Sequence, residues 1–213
     1  MFNGIVKGME SVMIVNRIDF PRFTGIKCNM MPFVQGQSSS LPEYYQTYAD
    51  IINSNYLEKG EIGFLTIDES FVDNGKSQRG YNAKGINRNL HVEVGICESY
   101  NQWGGGRTWG GKPNTILDDS TMVLIANSIS KTCRVWDILE RRYTQNGDLS
   151  DYINDYPEET GILLNNGEVA KISIFTPHEC VPQQQASQRQ FFRIVGKGVH
   201  GREEYFTENP LIK

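Results

Sequence analysis

This chain of 213 residues has no long apolar run and no basic stretch. A membrane-spanning helix needs about 20 consecutive apolar residues, so none is expected. With 21 Lys and Arg against 25 Asp and Glu, the formal charge is −4. Nothing is arranged to neutralise a row of phosphates, which argues against general nucleic-acid binding. Cysteine is scarce. Cys28, Cys97, Cys133 and Cys180 stand far apart with no C-x-x-C pair, which fits reduced, mostly buried thiols better than a disulfide framework or a zinc site. The first apolar patch, Val12 to Val15, is cut off by Asn16 and Arg17 and makes no signal-peptide core, so an intracellular protein is expected. G-x-S-x-G, P-loop and G-x-G-x-x-G motifs are all missing, which removes several common enzyme classes. Gly104-Gly105-Gly106 has neither a lysine nor a following helix signal, so it is no phosphate cradle. Internal repeats and low-complexity tails are missing too.

Glycine and aromatics, by contrast, are plentiful: 21 Gly, ten Tyr, ten Phe and three Trp favour strands and turns over a helical bundle. The length suits one domain, divided into an N-terminal extension (1–40), a helix (41–57) and a β core (61–207). Val12 to Ile18 predicts an opening strand. Ser40 and Glu43 read as a capping box with Pro42 in the first turn, and Leu41, Tyr44, Tyr45, Tyr48, Ile51 and Ile52 recur at helical spacing. Strands are predicted at Gly63 to Ile67, Thr121 to Ala126, Cys133 to Leu139, Arg189 to Val195 and Tyr205 to Thr207. Turns are expected at Asp73-Asn74-Gly75 and Gly167, and a short helix from Leu149 to Tyr156. Ala170, Ile172, Ile174, Thr176 and His178 alternate as one face of a single strand. Eight or so strands with an early amphipathic helix predict a mainly β fold, a sandwich or barrel closed by antiparallel strands.

The chemistry concentrates around His91-Val92-Glu93. On an extended segment, residues two apart point the same way, so His91 and Glu93 share a face. His178 ends the apolar, inward-looking row just described. Two histidines and one carboxylate form the facial donor set expected of non-haem Fe(II). Downstream of Glu93, residues 101–112 hold five glycines with Trp103 and Trp109, a loop whose tryptophans need something to cover.

Gly85, His91, Glu93, Glu98 and Gly105 are spaced like the first cupin motif, with glutamate in place of that motif's second histidine. A His-x-acid pair, a distant histidine and an arginine on the next strand also resemble the Fe(II)/2-oxoglutarate dioxygenases, which share the double-stranded β-helix of cupins and jelly rolls. The usual acid there is aspartate, and the second cupin motif is not reproduced around Thr176-Pro177-His178-Glu179. The resemblance implies a double-stranded β-helix with the helix packed on it. It implies that His91, Glu93 and His178 hold Fe(II) and that Arg189, or else Arg193, grips 2-oxoglutarate by a bidentate contact. It implies a small-molecule or protein substrate lying under Trp103 and Trp109.

Plainer readings stand beside these. A histidine on an apolar strand face is often only a packed residue, and Arg189 and Arg193 read equally as surface residues on a half-exposed strand. Glu98 is either a fourth, cupin-type ligand or a solvated turn residue. His200 reads as a loop residue, and Asp118-Asp119 as turn residues. The glycine-tryptophan loop reads equally as a subunit contact in a homo-oligomer or assembly. Three functions therefore remain open: an Fe(II)/2-oxoglutarate oxygenase, an inert jelly-roll module of an assembly such as a viral or phage particle, and a cupin isomerase or dioxygenase that uses Glu98 and neither arginine.

Overall fold

The computed structural model describes residues 11–78, 88–93, 121–142, 144, 147–196 and 206–212, together with the backbone of 5–6, 95–96 and 108–109. The first strands are β1 (Ile5–Val6), β2 (Val12–Arg17), β3 (Lys27–Val34), β4 (Ile62–Val72), β5 (Gly95–Ile96) and β6 (Thr108–Trp109). They are followed by β7 (Met122–Asn127), β8 (Cys133–Val135), β9 (Leu139–Glu140), β10 (Ile162–Leu163), β11 (Glu168–Ser173), β12 (His178–Cys180) and β13 (Ser187–Val195). Mainly β, as the composition predicts, the chain builds a six-stranded antiparallel sheet in the order β2-β11-β7-β13-β4-β3 and a three-stranded sheet β10-β8-β12.

β13 shows why the large sheet lies inside the molecule. Its odd residues Phe191 and Val195 pack with Val135, Trp136, Leu149 and Phe175, while its even residues Phe192 and Ile194 pack with Tyr48, Ile52 and Phe33. A strand that is apolar on both faces needs cover on both. One face is covered by the three-stranded sheet and its connections. The other lies under the segment expected to be a helix over 41–57, which is a 3-10 run (Glu43–Tyr48) followed by one short helix, α1 (Ala49–Ser54). The capping box does not form, because the Ser40 hydroxyl accepts from Val34 N–H and donates to Gln37 O. The apolar spacing still holds: Tyr45, Tyr48, Ile51 and Ile52 face the sheet.

Under that layer the Glu69 carboxylate accepts N–H bonds from Thr24, Gly25 and Ile26, an O–H bond from Tyr48 and an N–H bond from Gln190. Burial opposes its ionisation, but these donors outweigh burial and hold its pKa below the usual value of 4.5. A depressed carboxylate contributes stability above its unfolded pKa and loses it as pH falls through the folded value. Glu69→Gln is therefore expected to cost about 2–3 kcal/mol at pH 7, and the deficit should shrink below pH 4 in urea titrations.

Among the described residues Cys28, Cys133 and Cys180 are free and buried, as their spacing predicts; Cys97 lies outside them. Burial pushes the thiols of Cys28 and Cys133 up to about 12. Since the thiolate is the reactive form, neither should be alkylated by iodoacetamide at pH 8 until the protein unfolds, which peptide mapping would read directly.

Two further expectations change. Ala170 to His178 is not one strand: β11 ends at Ser173, and a turn closed by Thr176 N–H to Ser173 O carries the chain to the other sheet, where β12 begins. Pro177, which has no N–H, sits in that crossing. Tyr205 to Thr207 forms no described strand; Tyr205 lies outside the described residues, and Thr207 N–H bonds to Asn29 O beside β3. The expected turns are in place, Gly75 at φ +73° and Gly167 at +72°. At Gly167 a Cβ would stand 2.3 Å from Ile18 O, so only glycine fits. Among the described residues no helix is long and apolar enough to cross a membrane.

Candidate metal centre

His91 and His178 come together through the backbone. They form an antiparallel pair in which each N–H bonds to the other's carbonyl, at 3.0 and 2.9 Å. Directly opposed residues in such a pair present their side chains on one face, and the two imidazole centroids lie 4.2 Å apart. Glu93, two residues beyond His91, reaches the same point: its Oε1 is 3.5 Å from His178 Nε2. One donor atom from each of the three side chains fits within a 4.8 Å span. The sequence-predicted triad thus converges, although Glu93 and His178 stand 85 residues apart.

Both rings are oriented from behind. His91 Nδ1 lies 2.7 Å from Asn89 O and His178 Nδ1 3.0 Å from Thr176 O. A carbonyl only accepts, so each Nδ1 carries the hydrogen, which leaves each Nε2 to offer a lone pair to a metal when the ring is neutral or to donate toward Glu93 when it is charged. Metal-binding histidines are normally fixed in this way. Cis donors on one ion stand about 3 Å apart, given bonds of about 2.1 Å, so His178 Nε2 and Glu93 Oε1 need only a small inward shift.

Glu93 is 1% exposed and has a fixed counter-charge. Arg193 Nη1 lies 2.7 Å from Glu93 Oε1 and 2.9 Å from Oε2. Burial alone would raise the Glu93 pKa, but Arg193, assisted by His178 and His91, holds it well below the usual carboxylate range. One nitrogen touching both oxygens sits on the open side of the carboxylate. The outer lone pairs are left for a metal, so the residues present fit a two-nitrogen, one-oxygen centre.

Sequence reasoning placed Arg189 and Arg193 on one strand face, and they are on one face. Both are fully buried, however, so the surface reading is corrected: β13 is covered on both faces, and the odd one, which carries the arginines, looks toward the small-sheet side. Only Arg193 reaches the centre. Its Nη2 is held by Thr66 Oγ1 at 3.2 Å and Met30 Sδ at 3.4 Å. Met30 gets there through a bulge in β3 between Cys28 and Met31, where its φ is +46°. Neither Thr66 nor Met30 was legible in the sequence. Arg189 bonds elsewhere, to Gln78, Asn127 and Thr132. Trp109 lies on β6, its backbone paired with Gly95 just beyond Glu93. Gly85, Glu98, Trp103, Gly105, Asp118, Asp119 and His200 lie outside the described residues.

No protein-family model, no curated protein and no solved structure matches this chain.

Proposed function

We propose that this chain is a metal-dependent oxygenase of the non-haem Fe(II) type, with the ion held by His91, Glu93 and His178. The observation that carries the reading is the orientation of two imidazoles, each with Nδ1 bonded to a backbone carbonyl, beside a carboxylate that stays ionised while buried. Two neutral nitrogens and one oxygen on one face suit Fe(II) with open positions, and bound Fe(II) supplies the activation of dioxygen that side chains cannot. The protein's own residues orient the ligands, keep Glu93 charged and exclude water from one side. A double-stranded β-helix is consistent with the path of the chain, since it crosses between the large and the small sheet from β7 to β8, from β10 to β11, from β11 to β12 and from β12 to β13.

The 2-oxoglutarate form of this reading needs a cationic anchor beside the metal. Among the described residues Arg193 is the arginine there, and it already bridges both oxygens of Glu93. The geometry therefore favours a centre at which a small-molecule substrate takes the open positions without an oxoacid. Both forms are tested by one experiment: load the full chain anaerobically with Fe(II), add 2-oxoglutarate, then admit oxygen. Oxygen uptake with no visible charge-transfer band on adding 2-oxoglutarate is the expected result once a substrate is present, and a band would restore the oxoacid form. A chain that takes up no metal is the inert module, in which Glu93 and Arg193 are a packed ion pair.

A further inference from the structure

Arg189 is 1% exposed, yet the acceptors around its guanidinium are all neutral: Thr132 Oγ1 at 2.9 Å, Thr132 O at 3.3 Å, and the side-chain oxygens of Gln78 and Asn127. Among the described residues no carboxylate lies within ion-pair distance of it, whereas Arg88, Arg134, Arg142 and Arg193 each have one. A buried cation without a counter-ion is costly.

Thr132 also forms part of the wall of a cavity of about 540 Å³, whose lining includes Lys131, Arg134, Glu158, Gln183 and Ser187. None of these belongs to the His91, Glu93, His178 and Arg193 cluster. Among the described lining residues the single carboxylate is Glu158, and it is already bonded to Arg134 Nη2 at 2.9 Å. Gln183, 4% exposed, accepts from Ser187 through one amide atom and leaves the other, Nε2, with no partner. An amide flip would not change this, because one polar atom stays unpaired either way. Arg134 Nε is likewise buried and unpaired. Lys131 is exposed and holds φ +64°, a strained value for a residue with a Cβ, pinned by its N–H to Leu164 O at 2.8 Å. Strain of this kind tends to sit at binding sites.

We propose that this cavity binds a small organic anion. Its carboxylate or phosphate group is taken by Lys131 and Gln183 over the positive field of Arg189, and its apolar body lies against Leu163 and Val181. The proposal is independent of the metal centre. To test it, the full chain is titrated with succinate and, separately, with inorganic phosphate, against sodium chloride at equal ionic strength, with Tm and heat of binding as readouts. A saturable rise with succinate alone identifies a carboxylate ligand, with phosphate alone a phosphate ligand, and with both an unselective oxyanion site. Lys131→Gly should weaken that binding about tenfold, the worth of one charge-assisted hydrogen bond, while raising the Tm of the unliganded protein because glycine adopts this φ without strain. Gln183→Leu should weaken binding as well. Responses to both anions no larger than to chloride, or unchanged binding in both variants, would overturn the proposal.

Discussion

Arg193→Met is expected to lower folding stability by about 3–5 kcal/mol at pH 7, because it leaves a buried carboxylate without its counter-charge. The two side chains are 2% and 1% exposed, so water cannot take over the role of the guanidinium. The pH dependence distinguishes this cause from lost packing. In the native chain Glu93 is held below the usual carboxylate range, so its contribution persists above the unfolded pKa and is lost only as pH falls through the lower folded value. In Arg193→Met, burial loses the strongest group that opposes it and the folded pKa is expected to rise above the unfolded value, so that folding takes up a proton. The deficit should then shrink as pH falls from 7 to 5, whereas a packing defect would be flat. Combining Arg193→Met with Glu93→Leu should recover most of the loss, since replacing both partners of a buried pair with apolar groups is often near neutral. A divalent ion should raise the Tm of Arg193→Met more than that of the native chain, because it supplies the charge that Glu93 has lost.

His178→Ala should cost comparatively little stability and nearly all metal affinity. The backbone pairing of His91 with His178 is indifferent to the side chain, so the fold is expected to survive its loss. The centre, however, drops from three donors to two. Disturbing even an outer partner of a ligand costs about 10–100-fold in affinity, and removing a ligand should exceed that. His178→Gln, which keeps bulk and a hydrogen-bonding group, should not restore binding. Titration with Fe(II) under anaerobic conditions, read beside the far-ultraviolet circular dichroism of each variant, separates the two effects.

The triad was legible because period-two alternation is local: His91 and Glu93 share a face whatever the rest of the chain does. His178 was legible for a reason that proved incomplete. It follows an apolar alternating row, but the row breaks at Ser173, and His178 arrives at the site through a sheet crossing and a cross-strand pair with His91. Burial of Arg189 and Arg193 could not be read from parity, because β13 is covered on both faces and alternation then carries no inside or outside. Arg193 as the partner of Glu93 had one usable signal, that a carboxylate among apolar residues requires a cation. Met30 had none. A bulge in β3 and a positive φ put it beside Arg193, and such irregularities depend on tertiary pairing. The 41–57 segment kept most of its predicted apolar face while its geometry tightened to 3-10, which leaves Leu41, Tyr45, Tyr48, Ile51 and Ile52 on the sheet and turns Tyr44 out to solvent.

The most direct test of a metal centre at His91, Glu93 and His178 is the metal content of the full chain after anaerobic incubation with Fe(II) and gel filtration, compared with the double variant His91→Ala/His178→Ala. One iron per native chain and none in the folded double variant is the predicted result. An iron-free native protein, or equal iron in both, would contradict it.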